Sequence, residues 1–389
     1  MRGKESNANV KKVSRRNALS TAGKVAISAI LAGVIAGLGG YYAGTSAAPT
    51  VTKTKTVEKT ATKTVGATAT VKETVTKTLT KTLTAAAAGE FAKGLRFTFV
   101  THGGEENVFW NTVHLGMKEA ADVLGCDAVM IRPKVEGDLG MIMSNFEAAI
   151  AEKPDGIICT VCYEAELEMI KKATEAGIPV IVSNIDAPDP EKRKEAGGLA
   201  FIGQNLEPAG YFLAKTLSKY YPRGSHVAIL IEGPGMVWAE QRAHGIIRFL
   251  EEYDCTYDRI DVSFNLAEVE SRLSAYLEAH PPVEETKAIM SVGYTAPVAG
   301  KVLKAMGIGP GEVAIGTFDI VPLVIDGIKS GYVQVALDQQ PYLQGFLPIV
   351  QLTLMKKYAL GAWDVDTGHA VVDQSNVDVV AELSKKGYR

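Results

Sequence analysis

The sequence predicts an α/β protein built on two similar parallel sheets. From residue 95 onward, short apolar runs alternate with stretches of helical periodicity. Several of those runs are continuously apolar, as strands covered on both faces must be. About five strand–helix units fall on each side of residue 204, and alternation this dense implies parallel strands joined by right-handed crossovers.

Taken in order, the expected strands cover 95–100, 128–131, 156–159, 179–183, 199–202, 226–231, 288–292 and 313–318. Between them, apolar residues at three- and four-residue spacing predict helices over 112–124, 141–153, 165–176, 208–220, 238–251, 268–280 and 296–306.

The segment before this region is of a different kind. Residues 1–89 carry fourteen Lys/Arg against three Asp/Glu, which leaves twenty-seven against forty-one in the remainder of a 389-residue chain whose net charge is −3. An acidic folded part lacks the counterion-release term that drives nucleic-acid binding, so no nucleic-acid partner is expected. Lys11, Lys12, Arg15, Arg16 and Lys24 precede an uncharged stretch from Val25 to Thr52. That pattern reads as an export signal or an N-terminal membrane anchor over 1–44.

The run Ser14-Arg15-Arg16-Asn17-Ala18-Leu19 resembles a twin-arginine export signal, or else forms the basic flank of an ordinary anchor. Either places the rest of the chain outside the membrane. Residues 25–44 supply about 20 mostly apolar residues, enough to span a bilayer. Small residues at Thr45-Ser46-Ala47-Ala48 would suit cleavage, which would leave the protein secreted rather than anchored at the extracellular face.

Residues 45–90 repeat Thr with Val, Lys and Ala, and no core can form from them. They are expected to be an extended, solvated extracellular stalk, with hydroxyls open to O-glycosylation.

The four cysteines, Cys126, Cys159, Cys162 and Cys255, are too few for a disulfide scaffold. Cys159 and Cys162 form a single C-x-x-C with no second pair, so structural thiols are expected in place of a metal or redox centre.

In open parallel sheets ligands bind beyond the carboxyl ends of strands. There the chain places Thr101 through Trp110, Thr160 through Tyr163, Asn184-Ile185-Asp186, Gly233 through Gln241, Gly293-Tyr294-Thr295, Asp319 and Asp338-Gln339-Gln340. Carboxylates and amides suit hydroxyls that both donate and accept, and aromatic faces suit the C–H face of a sugar ring. Phosphate loops, His-Glu-x-x-His and Gly-x-Ser-x-Gly are missing, and the six histidines are scattered through the sequence. No catalytic residue, cofactor or metal ligand is expected.

A resemblance sharpens this. Asn107-Val108-Phe109-Trp110, Gly116-Met117-Lys118-Glu119-Ala120-Ala121, Pro154-Asp155-Gly156-Ile157-Ile158 and Gly177-Ile178-Pro179-Val180-Ile181 occur in that order. They are followed by Gly316-Thr317-Phe318-Asp319, by Ile328-Lys329-Ser330-Gly331-Tyr332-Val333, and by Asp338-Gln339-Gln340-Pro341-Tyr342-Leu343-Gln344-Gly345. The region from about Leu95 to Lys357 thus resembles the sugar-binding periplasmic binding proteins of the ribose-binding type, the last run being the most specific.

The resemblance implies two Rossmann-like lobes joined by a three-crossing hinge: an N-terminal lobe of 91–203 plus about 340–365, and a C-terminal lobe of 204–339 plus about 366–389. It further implies capture of a sugar between the lobes for delivery to an ABC permease. Phe109 and Trp110 would sandwich the ring, while Asp319 and Gln339 hydrogen-bond its hydroxyls. Asn107, Asn184, Asp186, Trp238, Glu240, Arg242 and Thr295 complete the implied ligand set. Where the family often has Asp-Arg, this chain has Asn184-Ile185-Asp186; the family's arginine is either Arg242 or replaced by Glu240; and Thr295 stands where Asn is common.

A nucleoside, inositol or autoinducer in the same cleft is the alternative ligand, and a surface enzyme using that cleft is a more distant alternative. A transcription regulator would need a helix-turn-helix in the first sixty residues, where the export segment and the Thr-rich stretch lie.

Overall fold

A computed structural model describes residues 51–64, 70–83 and 89–389. The export or anchor segment expected over 1–44 lies outside these residues. Among the described residues, no helix is long and apolar enough to cross a membrane.

The Thr-rich region contributes two strands, β1 (Val51–Thr64) and β2 (Thr70–Leu83), paired antiparallel in unbroken register from Val51 opposite Leu83 to Thr64 opposite Thr70. The expectation of an unpaired extended segment is corrected here. Each strand is the other's neighbour, and Thr/Val-rich stretches favour pleated backbone. At about 3.3 Å per residue, fourteen residues make a ribbon roughly 46 Å long.

Residues 88–389 form a separate unit. Its first sheet contains β3 (Arg96–Val100), β4 (Asp127–Ile131), β5 (Gly156–Cys159), β6 (Val180–Asn184), β7 (Gly198–Gly203) and, from far along the chain, β13 (Val365–Asp366). The second contains β8 (His226–Glu232), β9 (Thr256–Val262), β10 (Thr286–Ser291), β11 (Ala314–Phe318), β12 (Val335–Asp338) and β14 (Ala370–Val372).

The strand orders β4-β3-β5-β6-β7-β13 and β9-β8-β10-β11-β12-β14 repeat one pattern, parallel throughout except for β14. Each sheet reverses its winding beside its first strand, and the crevice at such a reversal is where open α/β sheets bind ligands.

The helices are α1 (Phe109–Leu124), α2 (Leu139–Ala151), α3 (Glu166–Glu175), α4 (Pro190–Glu195), α5 (Leu206–Leu217), α6 (Val237–Glu252), α7 (Leu266–Ala279), α8 (Val298–Ala305), α9 (Pro322–Lys329), α10 (Pro341–Tyr358) and α11 (Val377–Ser384). Apolar cores line both faces of each sheet. Helix α10 packs on α1 so closely that a Cβ on Gly345 would stand 1.9 Å from the Val113 carbonyl oxygen. Only glycine allows that approach.

The chain passes between the sheets three times: from β7 into α5, from β12 into α10, and from β13 into β14. The crossings are tied side by side. Thr367 N donates to Gly203 O at 2.9 Å, Gln204 Nε2 to Gly368 O at 2.9 Å, and Ser183 Oγ to both Ile202 O and Gln344 O. The lobes also meet away from the hinge, where Val237 N donates to Cys162 O at 3.4 Å. Beyond α11 the chain returns to α1 and the second crossing: Tyr388 hydroxyl donates to Glu119, and Arg389 pairs with Asp338 at 2.8 Å.

Candidate ligand-binding site

A cavity, partly open to solvent, lies where strands of both sheets end. His102, Asn107, Phe109 and Trp110 reach it after β3, Glu136 after β4, Asn184 and Ile185 from the end of β6. From the second lobe come Phe264 after β9, Gly293 and Tyr294 after β10, Asp319 after β11 and Gln339 after β12, with Leu206, Trp238 and Arg242 from the early turns of α5 and α6.

The first-lobe face is a braced loop. Glu136 accepts from Gly104 N at 2.6 Å and Asn107 Nδ2 at 3.1 Å, while Arg132 donates to the carbonyls of Gly103, Gly104 and Asn107. Trp110 is buried beneath it, edge-on to Phe99, His102 and Phe109. A Cβ on Gly103 would lie 1.8 Å from the indole nitrogen, so only glycine fits over that ring.

Phe109 and Trp110 meet at 81° with centroids 5.4 Å apart. Rings so disposed cannot flank a sugar from opposite sides, and the expected sandwich by this pair is corrected accordingly. Burial pulls the His102 imidazole down to about 3, so it stays neutral, with Nδ1 3.1 Å from Thr160 Oγ1. Burial also raises the Glu136 carboxyl, against the pull of Gly104, Asn107 and Arg132.

The second-lobe face is a charge network wired to the hinge. Arg242 donates to Val292 O and Gln204 Oε1, both at 2.8 Å, and its guanidinium sits 4.0 Å over the Phe318 ring. Burial lowers its basicity while Asp319 and Glu232 restore part of it. Asp319 accepts from Gln339 Nε2 at 2.6 Å, and Asn184 Nδ2 donates to the side-chain oxygens of Gln339 and Gln344. One amide chain therefore links a strand of the first sheet, the second crossing and a carboxylate of the second sheet.

Burial raises the Asp319 carboxyl, partly offset by Arg242 and Gln339. The Tyr294 phenol is pushed up to about 12 by burial and by nearby carboxylates, so it remains protonated.

Two features set this surface apart. Asn184, Asp319 and Gln340 hold φ of 69°, 64° and 57°, a left-handed backbone that non-glycine residues adopt rarely and that clusters at functional sites. Arg242 Nε and Trp238 Nε1 are buried with no hydrogen-bond partner among the described residues, although both side chains line the cavity. Buried donors left so are costly, and an oxygen-bearing ligand would satisfy them.

Of the eleven residues expected from sequence, eight line the cavity: Asn107, Phe109, Trp110, Asn184, Trp238, Arg242, Asp319 and Gln339. Three do not. Asp186 turns to the buried Arg193 at 2.9 Å, with burial raising its carboxyl to about 6. Glu240 accepts from Gly235 N and forms a two-point bond with Arg259. Thr295 points below the cavity, where its amide and hydroxyl both donate to the buried Glu232. His102 and Tyr294 lie in strand-end stretches expected to face the ligand, whereas Glu136 and Phe264 were not anticipated. Glu136 was within reach of the strand-end rule, because it follows the expected strand 128–131. Cys159 and Cys162 are free and buried, and burial raises both thiols, which disfavours the thiolate a metal or nucleophile needs.

Residues 97–358 match the periplasmic binding protein domain family over most of this unit. The chain belongs to that family. It is similar to the xylose/arabinose-binding protein of Sulfolobus acidocaldarius, 29% identical over 293 residues that make up 72% of each chain. Among solved structures it is similar to a periplasmic sugar-binding protein of an ABC sugar transporter from Legionella pneumophila (27% identity, TM-score 0.64), covering 70% of this chain and 98% of that one. It is also similar to an ABC transporter solute-binding protein from Burkholderia graminis C4D1M in complex with D-arabinose (27%, TM-score 0.66; 74% and 98% covered). A carbohydrate transporter from Acidothermus cellulolyticus 11B in complex with myo-inositol gives 26% and 0.66 (76% and 99% covered). The two-lobed architecture is thus that of periplasmic binding proteins.

Proposed function

We propose that the chain is the extracellular substrate-binding protein of an ABC importer and captures an uncharged sugar or related polyol between its lobes, with no chemistry of its own. The observation that carries this is the pair of orphaned donors, Arg242 Nε and Trp238 Nε1, in a cavity that also presents the carboxylates Asp319 and Glu136. A polyol hydroxyl accepts from the first two and donates to the others. The cavity's one arginine faces two carboxylates, so an anionic ligand such as a sugar acid is disfavoured.

Phe109 would pack on one side of the ring and Trp238, Phe264 or Tyr294 on the other, with Asn107, Asn184 and Gln339 completing the hydrogen bonds. Ligand contacts available only between closed lobes would shift the hinge toward the closed form that a permease recognises. In this reading residues 1–44 tether the protein to the membrane, or are cleaved after export, and 45–90 hold the receptor away from it. The D-arabinose complex of one relative favours a pentose or similar aldose. The myo-inositol complex of another supports a second reading, in which the ligand is a cyclitol without a ring oxygen.

A thermal-shift screen of neutral sugars, cyclitols, nucleosides and sugar acids tests this, since a ligand at 100 times its Kd adds about 2.7 kcal/mol. The expected hit is a neutral polyol. The protein beginning at residue 90 should remain soluble and bind that hit with unchanged affinity; its aggregation or loss of binding would overturn the stalk assignment.

A further inference from the structure

Two histidines far apart in the sequence meet at the other end of the second lobe from the cavity. His226 opens β8, His280 follows the last residue of α7, and Glu285 immediately precedes β10, so all three sit at the amino-terminal edge of the second sheet. One ligand atom from each lies within 4.8 Å of the others. His280 Nδ1 is 2.8 Å from Glu285 Oε1, and the two imidazoles stack at 26° with centroids 5.8 Å apart. We propose that His226, His280 and Glu285 form a site for a divalent transition-metal ion, of which zinc fits best, with water completing the coordination.

Ligand chemistry and placement both support the assignment. Two imidazoles and one carboxylate are a donor set that zinc accepts at about 2.0–2.2 Å, which requires donor atoms near 3.3 Å apart in a tetrahedron. The approach to that geometry would fall on partly exposed side chains, His226, His280 and Glu285 being 16%, 35% and 46% exposed.

The outer partners are in place. His226 Nδ1 lies 2.8 Å from Thr256 Oγ1, a contact that leaves Nε2 as the ligand atom when Nδ1 carries the proton. Nε2 lies 2.8 Å from the Tyr276 hydroxyl and 3.2 Å from Asp258 Oδ2, and the phenol already donates to Asp258 at 3.2 Å, a bond it would keep when a metal occupies Nε2.

The loop carrying Glu285 is also fixed. Glu285 N and Thr286 N both donate to Pro281 O, Thr286 Oγ1 donates to His280 O, and Val283 is held at φ 68°, rare for a β-branched residue. A metal here would clamp the start of β8, the end of α7 and this loop, without touching the cavity.

The test is calorimetric titration of the metal-stripped full chain with zinc chloride, accompanied by thermal melts with and without zinc. One zinc per chain at micromolar or tighter affinity is expected, together with a raised Tm. His280→Ala, at a half-buried position, and Glu285→Gln, at an exposed one, should each weaken binding about tenfold or more and remove the Tm gain. His226→Ala should do the same, and if it fails to fold the other two still decide the matter. Sugar affinity should be unchanged in His280→Ala and Glu285→Gln. Absence of stoichiometric binding, or equal zinc affinity in a folded His280→Ala/Glu285→Gln double variant, would overturn the proposal.

Discussion

The two faces of the cavity are built differently. On the first-lobe side, four of the seven lining residues come from the single stretch 102–110, braced by Arg132 and Glu136 and seated on the buried Trp110. On the second-lobe side, Trp238, Arg242, Phe264, Tyr294, Asp319 and Gln339 arrive after five different strands, and their bonds run outward to Gln204 and Gln344 at the hinge. The first face is a packed platform whose integrity is a matter of folding. The second is a polar network, which the proposed function makes a matter of ligand recognition and closure.

The largest effect that separates them is expected at Trp110. Its ring belongs to the first-lobe core, so Trp110→Ala should cost about 3–5 kcal/mol of stability in a denaturant titration. A folded variant of wild-type stability that merely binds less well would put Trp110 on the ligand and break the comparison.

Phe109 is the half-buried partner of that pair. Phe109→Ala should lower ligand affinity by about 0.5–1.5 kcal/mol in calorimetry, with a smaller loss of stability than Trp110→Ala. Equal losses of stability in the two variants would erase the distinction between platform and contact.

A pH effect is confined to the first lobe. Burial raises the Glu166 carboxyl from 4.5 to about 8, against donation from Cys162 N and Tyr163 N, both at 2.8 Å. Between those values the folded chain keeps a proton that the unfolded chain has lost, so this group's contribution to stability falls as pH rises from 4.5 to about 8. His102 acts in the opposite direction. Its folded value of about 3 lies below the ordinary 6.5, so stability falls as pH drops from 6.5 toward 3. Glu166→Gln keeps an oxygen for both amides and removes the titration. Its denaturant midpoint should fall less between pH values of about 5 and 8 than that of the wild type; an unchanged slope would contradict the burial argument.

Much of this fold was legible because burial on both faces writes itself into sequence. The run Gly156–Cys159 is a strand with the expected bounds, and it is fully buried. Strand β9 (Thr256–Val262) was not foreseen because it is an edge strand alternating polar and apolar residues, with only Val262 buried, and Phe264 was lost with it. Helix α10 escaped because Pro341, Gly345 and Pro348 read as breakers, whereas Pro341 occupies its first turn and Gly345 is its contact with α1.

At the cavity, strand-end reasoning reached most of the lining loops but not which way neighbouring residues point. Asp186, Glu240 and Thr295 each lie within two residues of a cavity-lining residue and turn to partners of their own, Arg193, Arg259 and Glu232. The pairing of His226 with His280 depends on where α7 ends relative to β8, a tertiary relation that spacing along the chain does not contain.

The central claim is that a neutral polyol is held by the second-lobe network, and Asp319→Asn tests it most directly. Asparagine tolerates the left-handed backbone at this position, retains an oxygen for Gln339 Nε2, and replaces the other carboxylate oxygen and its charge with an amide donor. Calorimetric titration with the ligand found by the screen should show affinity reduced by about 1.5–3 kcal/mol, on the order of 10- to 100-fold, in a variant whose circular dichroism matches the wild type. Wild-type affinity in that folded variant would mean that Asp319 does not hold the ligand and that the cavity is not where capture occurs.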